Sequence, residues 1–399
     1  MSHYNPFRYG NPVPPEHFKG HKSELRRIIG RIVNAGESTL ITGPFRCGKT
    51  SLLQYVSDSN LKSTLYGEKA HQLIFSYLEV ATLGSEFDQA QFWSRALETF
   101  QDYINTGDIA PSLSEAYQVC QQEQFGNYVL EKLIAEIKKV NLRLVLLLDG
   151  FDGLLHHKVL NSTEFFGGLR QLASLSKGAL ALLITGNTPL VQLNQQTQHF
   201  NRTGSPYFNF MDEVILGPLA EGDIDELLRL ADDRFTEDDR CFIKNIAGGH
   251  PYLLQLTASI LWDIYEDGED DDAMERQQNA GRVLYDQVKE KLNKTWESWD
   301  ENMQKIFVSI ALVALEKPLK IRHIDIKSIN QEINRYKMEL HELKQYGFLK
   351  TDEMGNWQVY PGIFLRFIGD KVKPKYRGKQ PDENIPKPSK FSFLRKLGL

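Results

Sequence analysis

The sequence predicts an α/β fold, in which a parallel sheet is followed by a helical region and a winged helix. A short apolar strand, a glycine-containing loop and a helix follow one another between residues 39 and 56. Apolar strands then alternate with helices up to about residue 219, which is typical of a doubly wound parallel sheet. From residue 280 onward, three helical segments precede a hairpin with a turn at Gly355 and Asn356. That order is typical of a winged helix.

The loop after the first strand carries the most informative local pattern. From Gly43 to Thr50 it has the form Gly-x-x-x-x-Gly-Lys-Thr, with a strand before it and a helix after it. In this phosphate-loop motif, glycines let backbone N–H groups converge on phosphate oxygens at a helix N-terminus. We expect Lys49 to face the β- and γ-phosphates of a nucleotide and the Thr50 hydroxyl to hold Mg²⁺. The residues predicted to surround the phosphates are Gly43, Pro44, Arg46, Cys47, Gly48, Lys49, Thr50 and Ser51.

An acid ends one of the later strands. Residues 142–148 are almost entirely apolar, which is typical of a strand buried on both faces, and Asp149 follows them. In phosphate-loop enzymes an acid in this place orders Mg²⁺. Thr50 and Asp149 are therefore the predicted metal ligands, and Asp149 is also a predicted catalytic residue. Helical spacing before this strand predicts helices at 88–104 and 124–139, joined by a polar linker.

Two further polar residues after strand ends are predicted catalytic residues, and each has a second interpretation. Asp152 could orient the attacking water, or it could cap the turn that follows it. Asn187 follows the strand predicted at 179–185 and could contact the γ-phosphate or the water. It could equally belong to a Gly-Asn-Thr-Pro turn.

Composition narrows the class of protein. The chain has 399 residues, 41% of them hydrophobic and 25% charged, as expected of a soluble globular protein with two or three domains. No apolar run is long enough to cross a bilayer, and residues 1–10 do not resemble a signal peptide. Three scattered cysteines form neither a disulfide framework nor a zinc motif. We expect a cytoplasmic protein.

Several segments together resemble the STAND-type ATPases, relatives of the AAA+ ATPases that include archaeal ATPases. The resemblance spans about residues 5–370. Besides the phosphate loop and Leu148 to Asp152, it rests on Asn5-Pro6-Phe7, Phe18 to Leu25, Leu216-Gly217-Pro218-Leu219 and Gly248-Gly249-His250-Pro251.

The resemblance implies an adenine pocket formed by the N-terminal arm, with a helical lid and a winged helix that close over bound ADP. A Gly-x-Pro of the lid contacts the nucleotide in that family, and Gly249-His250-Pro251 matches it. Phe18, His250 and Pro251 therefore join the predicted nucleotide-binding residues, and ATP or ADP with Mg²⁺ are the predicted cofactors.

The sequence departs from the family pattern at two positions of the site. His21 stands where Arg is common. Gly150 stands where a Glu usually orients the attacking water, so we expect slow hydrolysis of ATP to ADP and phosphate.

Pattern and resemblance together divide the chain into five segments. They are an N-terminal arm and first helix (1–34), a P-loop nucleotide-binding domain (35–219), a helical lid (220–279), a winged-helix domain (280–370) and a basic, disordered tail (371–399). The tail carries nine Lys or Arg and two Asp or Glu, although the whole chain has a net charge of −5.

Three functions are compatible with these features. The resemblance favours a switch that is closed with ADP and forms a homo-oligomer with ATP, with a separately encoded effector or sensor as partner. The alternative is a DNA-associated ATPase, such as an initiator or transposition regulator. Residues 300–370 carry ten basic and ten acidic residues, so we expect only weak DNA binding. The third is a structural nucleotide-binding adaptor.

Overall fold

The computed structural model describes five stretches of the chain. They are residues 4–106, 110–197, 206–268, 272–315 and 335–376. By their contacts these residues form two compact units. The sheet unit consists of Pro12–Gly43 and Gly48–Leu216. The helical unit consists of Pro44–Cys47 together with the described parts of Met1–Asn11 and Gly217–Leu399.

Five parallel strands form the centre of the sheet unit, which confirms the predicted α/β fold. They are β1 (Thr39–Thr42), β2 (Leu73–Glu79), β3 (Arg143–Asp149), β4 (Leu180–Thr185) and β5 (Asp212–Ile215). Their spatial order is β2, β3, β4, β1, β5, and every neighbouring pair is parallel. The carboxyl ends of the strands therefore meet at one edge of the sheet, where ligands bind in folds of this class.

Two of the three interior strands, β3 and β4, are long and hydrophobic because both of their faces are covered. Residues 144–149 of β3 and all residues of β4 are buried. Such strands have no solvent-facing positions, so their sequences lack the alternation of half-exposed strands. In contrast, β2 lies at the edge of the sheet and exposes Tyr77 and Glu79 at alternate positions near its end.

The helices of the sheet unit differ from the prediction in one region. They are α1 (Lys22–Asn34), α2 (Lys49–Ser57), α3 (Lys62–Tyr66), α4 (Gln89–Ala96), α5 (Glu98–Thr106), α6 (Pro111–Gln122), α7 (Asn127–Lys139), α8 (Thr163–Leu175) and α9 (Leu190–Thr197). The single helix predicted over 88–104 is wrong, because two helices, α4 and α5, occupy this stretch and are separated at Leu97. The Ala96 carbonyl at the end of α4 accepts a hydrogen bond from the Ser76 hydroxyl (2.7 Å). Helix α6, which was not predicted from the sequence, buries Leu113, Tyr117 and Cys120 at helical spacing.

The helical unit has the predicted order of helices followed by a hairpin. Its helices are α10 (Glu221–Leu228), α11 (Glu237–Ala247), α12 (Pro251–Asp267), α13 (Ala273–Glu297), α14 (Glu301–Leu315), α15 (Lys337–Gln345) and α16 (Ile363–Tyr376). The hairpin pairs β6 (Leu349–Thr351) with β7 (Trp357–Val359) in antiparallel register. One hydrophobic core extends through these elements and includes Phe7, which stacks on Phe235 with ring centroids 5.7 Å apart.

Two predicted segment boundaries fall inside helices. Helix α13 is continuous across the boundary predicted at residue 279, and α16 continues beyond residue 371 to Tyr376. The predicted tail therefore starts too early, and its part after residue 376 lies outside the described residues, as do residues 316–334 of the predicted winged-helix domain. Among the described helices, none combines the length and the apolar character that crossing a membrane requires.

A buried polar cluster anchors α11 to α12 and α13. The Asp239 side chain, which is fully buried, accepts hydrogen bonds from the Tyr265 hydroxyl (2.5 Å) and the Thr236 hydroxyl (2.8 Å), and it pairs with the Arg276 guanidinium (3.2 Å). Burial raises the pKa of Asp239, but these hydrogen bonds outweigh burial and hold the pKa below its ordinary value. The cluster therefore stabilises the helical unit while the carboxylate is charged.

Replacement of Asp239 by Asn should destabilise the helical unit by about 3–5 kcal/mol at pH 7, because it removes the negative charge that pairs with the buried Arg276 guanidinium. Since the folded-state pKa is lowered, the stabilisation is complete above the ordinary value of 3.8 and is lost as the pH falls through the lowered pKa. The difference between wild type and Asp239→Asn in urea denaturation should therefore shrink below pH 3.8. The exposed neighbour Asp238 provides the control, and equal midpoints for Asp238→Asn and Asp239→Asn would show that the cluster adds no stability.

Candidate functional site

The phosphate-loop motif adopts the backbone that its glycines permit. Gly48 has φ +102°, a conformation that residues with a side chain rarely adopt, and it caps the N-terminus of α2. Helix α2 begins at Lys49, so its first N–H groups lie at the end of the loop. The first N–H groups of a helix and the helix dipole form an environment suited to an anion.

Lys49 connects the start of the phosphate loop with the residues that follow β4. Its ammonium group donates to the Gly43 carbonyl (2.8 Å) and to the side-chain oxygen of Asn187 (3.1 Å). Asn187 follows β4, which is the neighbour of β1 in the sheet. The structure therefore brings together three of the residues that the sequence assigned to the nucleotide.

Asp149 lies at the centre of a cluster of hydroxyl groups. Its carboxylate accepts hydrogen bonds from Thr50 (2.8 Å), from Tyr77 (3.0 Å) and from Thr185 (2.5 Å). Only 8% of Asp149 is exposed, so these bonds replace the hydration that burial removes. The predicted metal ligands Thr50 and Asp149 are thus in direct contact.

Tyr77 remains a hydrogen-bond donor to this carboxylate. Burial, then the charge of Asp149 and the hydrogen bond to it, raise the pKa of Tyr77 well above its ordinary value. The Thr185 hydroxyl also accepts from the backbone N–H of Gly150 (2.9 Å). The hydroxyl of Thr185 therefore holds the chain immediately after β3 in place.

Asp152 has the contacts of a turn-capping residue. Its carboxylate accepts hydrogen bonds from the backbone N–H groups of Asn187 (2.5 Å) and Thr188 (3.3 Å). A Cβ atom at Gly186 would lie 2.9 Å from the same carboxylate, so the turn after β4 packs closely on it. The turn held by these contacts is the one after β4, and both carboxylate oxygens are engaged.

The arm residues Val13 and Phe18 lie against α2 within the sheet unit. The Ser51 hydroxyl accepts the backbone N–H of Val13 (3.1 Å), and the Phe18 ring stacks on Tyr55 with centroids 4.9 Å apart. His21, the residue that departs from the family pattern, lies 6.4 Å from Phe18 between ring centroids. The predicted adenine-binding residue Phe18 is therefore held next to the helix that starts at Lys49.

The tip of the phosphate loop contacts the start of α12 within the helical unit. His250 donates from Nε2 to the Phe45 carbonyl (3.0 Å), and the Arg46 guanidinium lies 4.7 Å from the centre of the Tyr252 ring. Arg46 also donates to the Gly10 carbonyl (3.1 Å). Pro251 is the first residue of α12, a position where its missing N–H costs no helix hydrogen bond.

The tip itself is a compact turn. The backbone N–H of Cys47 donates to the Pro44 carbonyl (3.2 Å), and the Cys47 side chain is buried. These four residues, Pro44–Cys47, belong by their contacts to the helical unit, whereas Gly43 and Gly48 on either side belong to the sheet unit.

The glycines before His250 allow two segments of the helical unit to approach closely. The Leu219 N–H donates to the Gly249 carbonyl (2.8 Å), and a Cβ atom at Gly249 would lie 2.6 Å from Cβ of Pro218. The two family-like segments, 216–219 and 248–251, therefore pack against each other. This close contact explains why a glycine stands at position 249, whether or not a ligand binds there.

Two residues of the site were missed by the sequence interpretation. Tyr77 contacts Asp149, and Glu79 stands opposite Asp149 in the register of β2 and β3. Both lie on the exposed positions of β2, and Glu79 ends that strand. The sequence shows that Glu79 lies near the end of an apolar strand, but it does not show that this strand, β2, pairs with β3.

The donor set of the site fits Mg²⁺. Thr50 and Asp149 offer a hydroxyl and a carboxylate oxygen 2.8 Å apart, and magnesium prefers such hard oxygen ligands. Within the described ranges, no group of three or more His, Cys, Asp or Glu forms a metal cluster. These residues would therefore hold the ion together with oxygens of a ligand, as Mg²⁺ is usually held beside nucleotide phosphates.

Comparison with known proteins supports the fold. No protein-family profile matches the chain, and no curated protein matches it. A solved Walker-type ATPase of Pyrococcus abyssi is 16% identical and has a TM-score of 0.54, over 91% of this chain and 99% of its own. The ORC2 protein of Aeropyrum pernix, in its ADPNP–ADP complexes, is 11% identical and has a TM-score of 0.51, over 92% of this chain and 97% of its own. The chain therefore shares the α/β fold of these two proteins.

Proposed function

We propose that this protein binds ATP and ADP with Mg²⁺ at its phosphate loop and acts as a slowly hydrolysing, nucleotide-controlled switch. The observation that carries the proposal is the convergence of Lys49, Thr50 and Asp149 at the carboxyl edge of a parallel sheet. A cation, a hydroxyl and a carboxylate in this arrangement suit a phosphate chain with its divalent ion. The fold shared with an ATPase at 16% identity is consistent with it.

Each residue would have a distinct part in binding. Lys49 already forms two hydrogen bonds to oxygens, and phosphate oxygens would offer it stronger, charge-assisted ones. Thr50 and Asp149 would hold Mg²⁺, which neutralises phosphate charge when bound. Thr185 and Tyr77 keep the Asp149 carboxylate oriented. Phe18 would provide an aromatic surface for the adenine.

Slow hydrolysis follows from the position after Asp149. Gly150 has no side chain, and its φ of +74° would strain any residue that had one, by roughly 1–2 kcal/mol. Asp152 uses both of its carboxylate oxygens on backbone amides. A well-placed acceptor for the attacking water typically contributes ~10²–10⁴ in rate, and neither residue is placed to supply it.

The loop tip provides a physical connection for a switch. Phosphate binding would involve Gly43, Gly48 and Lys49 of the sheet unit, while Phe45 and Arg46, in the same loop, contact α12 of the helical unit. A ligand that changes the loop backbone would therefore change the groups that His250 and Tyr252 contact. Differential contact with two nucleotides is what a ligand-driven equilibrium requires.

The partners proposed for the switch are further copies of this chain in the ATP-bound form and a separate effector or sensor protein. A DNA-associated role is less well supported. Two lysines at the hairpin lie over aromatic rings, Lys350 at 4.2 Å from Tyr360 and Lys344 at 5.8 Å from Trp357. The sequence from residue 300 to residue 370 also carries as many acidic as basic residues, which does not favour tight binding of a duplex.

Replacement of Lys49 by Ala should weaken binding of a fluorescent ADP or ATP analogue by about 10- to 100-fold, because it removes the charged donor that faces the phosphates. Titration of the purified chain with Mg²⁺ present measures this. Lys69→Ala, which removes an exposed lysine of the same unit, should leave the affinity unchanged. Equal affinity of Lys49→Ala and Lys69→Ala would refute nucleotide binding at the loop.

The switch predicts a difference between two nucleotide states in the helical unit. Amide hydrogen exchange at the start of α12 should differ between the chain saturated with ADP and the chain saturated with a non-hydrolysable ATP analogue. Tyr252→Ala should reduce this difference, because it removes the ring under Arg46.

Tyr128→Ala serves as the matched control, since Tyr128 is 69% exposed in the sheet unit and lies under Lys132 (4.3 Å). Identical exchange of α12 in the two nucleotide states, with both nucleotides bound, would contradict the switch and leave nucleotide binding intact.

A further inference from the structure

We propose that Glu79 is the carboxylate that orients the attacking water and accepts its proton when ATP is hydrolysed. This inference rests on the proposed nucleotide function. It concerns a residue at the end of β2, outside the loop motif and outside the segment from Leu148 to Asp152.

The register of the sheet places Glu79 beside Asp149. The two residues are direct partners in the parallel pairing of β2 with β3, and neighbouring strands lie about 4.8 Å apart. Side chains at alternate positions share a face, so Tyr77 and Glu79 project on the same side of β2. Tyr77 reaches the Asp149 carboxylate at 3.0 Å, which shows that this side faces the site.

The backbone at Glu79 is held in place. The Thr82 hydroxyl donates to the Glu79 carbonyl (2.7 Å), and the next residue, Val80, is buried. A Cβ atom at Gly153 would lie 3.0 Å from Cγ1 of Val80, so the turn after β2 packs on the turn after β3. The main chain that carries Glu79 is therefore fixed next to the main chain that follows Asp149.

The other acids at this edge of the sheet are already engaged. Asp152 accepts from the backbone of residues 187 and 188, and Glu213 accepts from the Thr42 hydroxyl (2.6 Å) and the Leu190 N–H (3.3 Å). The Glu79 side chain is exposed and, within the described part of the chain, engages in no hydrogen bond or ion pair. It interacts electrostatically with the Tyr77 hydroxyl, so its charge is felt at the site.

The step assigned to Glu79 is a proton transfer coupled to phosphoryl transfer. The water oxygen forms a bond to the γ-phosphorus as the bond from that phosphorus to the β,γ-bridging oxygen breaks. The bridging oxygen keeps the electron pair and leaves as part of ADP. One proton of the water passes to the Glu79 carboxylate and then to solvent, so the products are ADP, phosphate and a proton. An exposed carboxylate with no partner to orient it is consistent with slow turnover.

The test compares phosphate release and nucleotide affinity in the full chain. Glu79→Gln keeps the size of the side chain but cannot accept the proton. Steady-state phosphate release should fall by about 10-fold, less than the ~10²–10⁴ of a fully positioned base, because no partner orients the Glu79 side chain. Affinity for a fluorescent ATP analogue should stay within about two-fold of wild type, and the variant should retain intact ATP in single-turnover quench experiments. Glu68→Gln, an exposed acid of the same unit, is the matched control and should release phosphate at the wild-type rate.

The possible outcomes separate this inference from the proposed function. Wild-type phosphate release by Glu79→Gln, or wild-type protein that binds ATP without any turnover, would overturn the role of Glu79 while nucleotide binding stands. Loss of ATP affinity in Glu79→Gln would also overturn it, because the residue would then act in binding. Failure of the wild type to bind ATP would overturn both.

Discussion

The hydrogen bonding of Asp149 is the constraint on which the site depends. Only 8% of Asp149 is exposed. Burial of a carboxylate costs free energy unless its oxygens accept hydrogen bonds. Its partners come from three different places: Thr50 from the first turn of α2, Tyr77 from β2 and Thr185 from β4. Satisfying one carboxylate thus fixes the start of the loop helix against two strands, and the same contacts place a hydroxyl and a carboxylate where a magnesium ion suits them.

The phosphate loop is divided between the two compact units of the chain. Its ends, Gly43 and Gly48, have their contacts in the sheet unit, and its tip, Pro44–Cys47, has them in the helical unit. His250 and Tyr252 hold the tip through a carbonyl and a guanidinium. In the proposed switch, a bound phosphate would contact the ends of the loop, and the tip of the same loop contacts α12. A change of the loop backbone on nucleotide binding would then alter the contacts of α12.

Sequence reasoning found the parts of the site that depend on local order. Lys49 and Thr50 follow from a continuous motif, and Asp149 follows from an apolar run that ends in an acid. The strands were visible because full burial requires an uninterrupted apolar sequence. The pairing of β2 with β3 is a tertiary property, so the sequence could not show that Tyr77 and Glu79 lie beside Asp149.

Other features were hidden for similar reasons. At the break between α4 and α5, the Ala96 carbonyl accepts a hydrogen bond from Ser76 of β2, a tertiary contact that the sequence of 88–104 does not show. Helix α6 buries only a narrow stripe of three residues, so its sequence carries only a weak helical signal. The role of Asp152 depends on which groups lie within hydrogen-bond distance of its carboxylate. The structure places the backbone amides of Asn187 and Thr188, which follow β4, at that distance.

The central claim is that the loop from Gly43 to Thr50 binds a nucleotide. The most direct measurement is mass spectrometry of the small molecules released when the purified chain is denatured. We expect ADP or ATP at close to one molecule per chain, or uptake to that level after incubation with Mg²⁺ and ADP. If the purified chain contains no nucleotide, and if the correctly folded chain still binds none after this incubation, the claim is contradicted.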